Sequence, residues 1–149
     1  MTFKSIKVVI VASDFKSKIT EGLISAALDV YDKNGGDRDL LDVIKVPGAF
    51  DIPSAAVKAI EKISPDAVVT LGAVIKGETK HFEYISDNCS RAIMDLSLNY
   101  DIPILFGVLT TTDAAQALAR SGKENNKGAV VMEAALKMIE TFKNLEGQS

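Results

Sequence analysis

Apolar residues fall along this chain in two alternating rhythms. Residues 6–12 read Ile-Lys-Val-Val-Ile-Val-Ala, a nearly unbroken β-branched run that predicts a strand buried on both faces. A short loop over 13–16 separates it from Ile19, Leu23, Ala26, Ala27 and Val30, which recur at helical spacing until Asn34-Gly35-Gly36 stops the helix. Residues 40–46 predict a second strand, broken by Pro47-Gly48. Asp51 stands where a helix cap is expected, Pro53 is tolerated in the first turn, and this helix runs to Ile63 before Ser64-Pro65-Asp66 turns the chain. Residues 67–75 predict a third buried strand and 76–80 a loop. A helix follows over 81–99, with Phe82, Ile85, Cys89, Ile93 and Leu96 as its apolar positions. After Pro103 a fourth strand is expected over 104–109. Thr110, Thr111 and Thr112 then predict a hydroxyl-rich loop capping a short helix over 113–120. A second loop over 121–126 leads to a last helix over 127–145, with Val131, Ala135, Met138 and Phe142 on one face.

Strands alternating with helices, and strands apolar throughout, predict a parallel sheet with helices on both faces: a three-layer α/β/α domain with four strands. Ligands of such sheets sit outside the carboxyl ends of the strands. That rule nominates four loops before any motif is considered, at 13–16, 47–51, 76–81 and 110–112. A length of 149 residues suits one domain. The net charge of −3, with no basic block, supplies no phosphate-backbone footprint and argues against nucleic acid. The first apolar run is too short to span a bilayer or serve as a signal peptide, so no membrane is expected and the cytoplasm is the expected location. A lone cysteine, Cys89, excludes an internal disulfide and a cysteine-based metal site. Zinc motifs, Walker loops, dinucleotide fingerprints and nucleophile elbows are absent.

The loop Lys76-Gly77-Glu78-Thr79-Lys80-His81 carries the most chemistry. It joins a strand to a helix start, where free N–H groups and the helix dipole favour an anion. Gly77 admits close backbone approach and Thr79 offers a hydroxyl. His81, the only histidine, is disfavoured as imidazolium at a helix start, which suits a neutral proton acceptor. The same features also make ordinary turn chemistry, with His81 a capping or surface residue. Phe15 either stacks on a planar ring or staples its loop to the next helix. Asp51 either holds ligand hydroxyls or caps its helix. Arg120 ends a helix, where a cation is favourable without any function, yet it is also the side chain best suited to phosphate. Lys127 opens the last helix against the dipole, which points to a partner anion or an intersubunit contact. Phe106, in the fourth strand, reads as core. Together these residues suggest an anion-plus-aromatic site with one proton carrier.

Val46-Pro47-Gly48-Ala49-Phe50-Asp51-Ile52-Pro53 resembles the V-P-G-A-[FW]-E-[IL]-P segment of lumazine synthases. Leu71-Gly72-Ala73-Val74-Ile75-Lys76-Gly77-Glu78-Thr79-Lys80-His81-Phe82-Glu83-Tyr84 resembles their L-G-x-V-I-[RK]-G-x-T-x-H-[FY]-[DE]-Y segment, and the stretches at 103–111 and 126–128 match two more. The resemblance spans about residues 6–142 and implies a flavodoxin-like fold. It implies condensation of 5-amino-6-(D-ribitylamino)uracil with 3,4-dihydroxy-2-butanone 4-phosphate to 6,7-dimethyl-8-ribityllumazine, phosphate and water, with no cofactor and no metal. It also implies that Phe15 stacks on the uracil and that Ala49, Phe50, Val74 and Ile75 contact substrate. By the same resemblance Asp51 holds the ribityl chain, and Gly77, Glu78 and Thr79 line the phosphate subsite with Arg120. His81 is then the proton shuttle. Phe106 and Lys127 reach the site from a neighbouring subunit of a homo-oligomer built from pentamers, with riboflavin synthase as a candidate partner.

Three features depart from the family pattern. Lys16 follows the aromatic where Asn is usual, Asp51 is one methylene shorter than the usual Glu, and the loop between Arg120 and Asn126 is one residue shorter. Two other readings therefore stand beside an active synthase: a paralogue that binds lumazine or flavin or builds a shell, and an unrelated flavodoxin-like binding domain. Pentamers, decamers and icosahedral shells all occur in the family, and the absence of a long insertion before the last helix favours the shell.

Overall fold

The computed structural model describes residues 2–14, 17–77 and 80–147. Strands β1 (Val8–Ser13), β2 (Leu41–Val46), β3 (Ala67–Ile75) and β4 (Ile104–Thr111) form one parallel sheet in the order β2-β1-β3-β4. Helices α1 (Ser17–Lys33), α2 (Ile52–Ile63), α3 (His81–Asn99), α4 (Ala114–Ala119) and α5 (Lys127–Glu146) connect and cover it. From β1 the chain steps outward to β2, then crosses back to β3 on the other side. The crevice where this reversal occurs lies at the carboxyl ends of β1 and β3, the expected ligand position in a doubly wound sheet.

Every residue of β1 is buried, because it has a strand on each side and a helical layer over each face. Alternate residues feed two cores. Val8, Ile10 and Ala12 pack with α1 and α5, whereas Val9 and Val11 pack with α2 and α3. The edge strand β2 leaves Asp42, Val43 and Lys45 exposed, which accounts for its weaker apolar pattern. Tyr31 of α1 closes the amino end of the sheet. Its hydroxyl lies 2.8 Å from the Ile6 carbonyl and 2.9 Å from that of Asp37, and burial raises its pKa.

The structure moves several boundaries. Residues 6 and 7 precede β1, and Ile6 N–H closes a turn onto the Phe3 carbonyl. Leu40 belongs to a single 3-10 turn, Arg38–Leu40, capped by the Asp37 side chain. Thr110 and Thr111 are strand rather than loop. They pair with Val74 and Ile75, and Lys76 N–H donates to the Thr111 carbonyl at 2.9 Å. With β3 extending to Ile75, a β-branched threonine finds ladder partners and the sheet absorbs it. The cap of α4 falls instead to Asp113, whose carboxylate accepts from Gln116 N–H at 2.9 Å. On α5 the inner stripe is Gly128, Val131, Met132, Ala135, Leu136 and Ile139, a strict i, i+3, i+4 series. Met138 and Phe142 lie off that stripe and line a cavity with Ile102 and Leu105 at the edge of the fold.

Candidate active site

The turn after β2 is set by its own short-range bonds. Gly48 is extended, and Ala49–Asp51 forms a 3-10 turn leading straight into α2, with Pro53 in the first turn. Asp51 N–H donates to the Gly48 carbonyl at 3.0 Å, and the Asp51 carboxylate accepts from Gly48 N–H at 3.1 Å. The carboxylate thus reaches back over its own turn and makes no side-chain cap on α2. Ala49 is buried, and its carbonyl accepts from the Cys89 thiol of α3 at 3.4 Å. Burial pushes that thiol up to about 11, so it remains an S–H donor near neutral pH. Phe50 points outward and is 65 % exposed, unusual for a phenyl ring that no partner covers.

Ala49, Phe50 and Asp51 face Val74 and Ile75 at the end of β3 and His81 at the start of α3 across a cavity of about 380 Å3; Pro47, Gly48, Ala73 and Ile85 complete its lining. One concave wall therefore holds six of the residues expected to touch substrate. His81 is exposed to this cavity and lies in the first turn of a helix of 19 residues. Lys76 and Gly77 are exposed just before it, and among the described residues a methyl group added to Gly77 would meet nothing within 4 Å. Phe15, Glu78 and Thr79, together with Lys16, lie outside the described residues.

Arg120, Phe106 and Lys127 do not join that wall. They line a second cavity of about 300 Å3 with Val108, Leu109 and Thr110, on the open side of the edge strand β4. Arg120 is the C-cap of α4 and Lys127 the first residue of α5; Lys127 N–H donates to the Arg120 carbonyl at 2.7 Å. Neither cation makes an ion pair among the described residues. Phe106 is half-buried at the edge rather than enclosed in the core. Two cations without a carboxylate partner among the described residues, next to an aromatic ring, make a surface suited to an anionic ligand.

The two cavities differ in chemistry: a concave, largely apolar wall with an imidazole and a carboxylate, and a cationic half with an aromatic ring. Sequence reading nominated the loop that holds Pro47 and Gly48 but did not single out Ala73 or Ile85 as lining residues, and it placed Cys89 only among the apolar positions of α3. Among the described residues no cluster of three His, Cys, Asp or Glu side chains is arranged to hold a metal ion, and no helix is long and apolar enough to cross a membrane.

The family model for 6,7-dimethyl-8-ribityllumazine synthase matches residues 5–143. The chain is 43% identical over 144 residues to the 6,7-dimethyl-8-ribityllumazine synthase of a Sulfurovum species, covering 96% of this chain and 92% of that one. It is 42% identical over 139 residues to the Salinibacter ruber enzyme of the same name, covering 93% and 89%, and 39% identical over 142 residues to that of Helicobacter pylori, covering 95% and 91%.

Proposed function

The chain belongs to the 6,7-dimethyl-8-ribityllumazine synthase family, and from that premise we propose its reaction and the division of its site between subunits. The protein condenses 5-amino-6-(D-ribitylamino)uracil with 3,4-dihydroxy-2-butanone 4-phosphate, giving 6,7-dimethyl-8-ribityllumazine, inorganic phosphate and water. The aromatic amine adds to the ketone and loses water to form an imine. Phosphate then leaves, and the ribityl-bearing nitrogen closes the second ring with loss of a further water. Each step moves protons but needs no net oxidation, and the reactive amine and ketone belong to the substrates. The enzyme's task is to hold them in register and to relay protons.

His81 takes the relay, because it is the one imidazole in the chain and opens into the cavity. Phe15 stacks on the uracil, with contacts from Ala49, Phe50, Val74 and Ile75, and Asp51 receives the ribityl hydroxyls. Gly77, Glu78 and Thr79 meet the phosphate beside the N-terminus of α3, together with Arg120. Phosphate binding supplies remote binding energy and orients the leaving group.

The observation that carries the division of the site is the separation of the two cavities within one chain. A chain whose His81 wall and Arg120 half face different spaces completes a site when the β4 edge of one copy meets the wall of the next. Arg120, Phe106 and Lys127 are then the neighbour's contribution, within a cytoplasmic homopentamer of single-domain subunits that can build larger shells and deliver product to riboflavin synthase. Arg120→Ala and Lys127→Ala test the anion role. The KM for the phosphorylated ketone should rise by about tenfold or more on loss of a charge-assisted contact, and inhibition by inorganic phosphate should weaken in parallel. An unchanged KM in both variants would remove these residues from the subsite.

A further inference from the structure

Arg120 and Lys127 stand seven positions apart in sequence, yet they line one cavity although neither has an ion pair among the described residues. Their placement must come from the backbone that carries them. That backbone is tied by one side chain. Asn126 is 6 % exposed and caps α5. Its amide oxygen accepts from Gly128 N–H at 2.7 Å and Ala129 N–H at 3.4 Å. Its amide nitrogen donates to the Gly122 carbonyl at 2.8 Å and, across the fold, to the Gly22 carbonyl of α1 at 3.1 Å. All four hydrogen-bonding positions of the amide are filled.

A cap requires only the oxygen. Serine, aspartate and asparagine serve nearly equally at that position, so the cap does not explain why an amide stands here. The two donor bonds do something else. They pin the turn between Arg120 and Lys127 to α1 and to itself, while Lys127 N–H closes the turn on the Arg120 carbonyl. The fit against α1 is close. A methyl group on Gly22 would come within 2.3 Å of the Ser121 carbonyl oxygen, so α1 lies directly against the turn.

We propose that Asn126 is a positioning residue for the phosphate subsite, locking the Arg120–Lys127 turn onto α1 so that both cations meet the same anion. The proposal rests on the reading of Arg120 and Lys127 as anion ligands. Asn126→Ser tests it, because serine retains the capping oxygen, adds no charge and lacks the two donors. The KM for the phosphorylated ketone should rise by about tenfold while that for the aminouracil stays within twofold of wild type, with sedimentation showing the same assembly. Gly22→Ala, which pushes the turn from the α1 side, should give the same selective change. A purely structural role would lower the melting temperature and leave both KM values alone, or raise them equally; either result overturns the proposal. Calorimetric titration with inorganic phosphate separates this outcome from failure of the enzymatic reading. If wild type binds phosphate through Arg120 but makes no lumazine, the reaction is wrong, and weaker binding by Asn126→Ser still supports the positioning role. Equal phosphate affinity in wild type and Asn126→Ser refutes it, and a wild type that neither turns over nor binds phosphate refutes both.

Discussion

If the site is divided between neighbours, two impaired variants should repair each other. His81→Ala removes the proton carrier from one wall and leaves the cationic half intact. Arg120→Ala removes an anion ligand from the other half and leaves the wall intact. Losing a general acid–base group costs about 10²- to 10⁴-fold in rate, so His81→Ala assembled alone should be nearly silent. In an oligomer co-assembled from equal amounts of both, a site is whole when its wall comes from an Arg120→Ala chain and its cationic half from a His81→Ala chain. Random placement makes that true of about one site in four when each site spans two subunits. At low concentrations of the phosphorylated ketone, turnover should therefore reach about a quarter of wild type, well above the mean of the two parents. The assay is lumazine formation by oligomers carrying two different affinity tags, purified through both, with subunit ratio measured by mass spectrometry. The separation of the cavities in a single chain is the structural ground for this number. Activity no higher than the parental mean, in verified mixed oligomers, would mean that both halves come from one chain.

Other perturbations follow from particular contacts. A methyl group on Gly128 would lie 2.0 Å from the Leu23 carbonyl oxygen, so Gly128→Ala should force α1 and α5 apart. The expected net loss is about 2–3 kcal/mol despite alanine's better helix propensity, read as a fall in melting temperature of about 5–10 °C; an unchanged melting temperature would contradict that close packing. Gly77→Ala meets no atom of another described residue within 4 Å, so it should leave the melting temperature unchanged while raising the KM for the phosphorylated substrate; if KM is also unchanged, the backbone there does not approach the anion. Burial moves the Cys89 thiol from its ordinary 9.0 to about 11. Its folded pKa lies above the unfolded one, so its contribution is complete below pH 9 and is lost as pH rises through about 11. Wild type should lose up to about 2–3 kcal/mol more than Cys89→Ala between those limits, seen as converging urea midpoints; parallel curves would argue against a buried neutral thiol.

Much of this architecture is legible in the sequence because burial writes itself directly into composition. The run at 67–75 coincides with β3, and the apolar spacing at 81–99 with α3, since an interior strand and a half-buried helix leave few choices at each position. Thr110 and Thr111 are not legible in that way. A threonine serves a turn or an edge strand equally well, and only the presence of Val74 and Ile75 opposite decides. Met138 and Phe142 misled for a related reason: both are apolar and near the helical period, but the stripe through Gly128 and Leu136 meets α1 and the sheet, with theirs turned to the rim. The strand-end rule located the loops of the site. It gave no sign that His81 and Arg120 face different cavities, because the Arg120–Lys127 turn is held by a contact between Asn126 and Gly22, separated by 104 positions in the chain. Such long-range ties leave no local periodicity to read. Asp51 shows the limit at shorter range, where a cap on α2 and a bond back to Gly48 both suit an aspartate in that turn.

The most direct test of the central claim is turnover itself. Purified oligomer is mixed with 5-amino-6-(D-ribitylamino)uracil and 3,4-dihydroxy-2-butanone 4-phosphate, and lumazine fluorescence is followed for wild type and for Arg120→Ala. Wild type should form lumazine well above the spontaneous condensation, and the variant should lose most of that rate at low concentrations of the phosphorylated substrate. Wild-type turnover no faster than the uncatalysed reaction, in a correctly assembled oligomer, would contradict the enzymatic reading and leave a binder or shell built on the same fold.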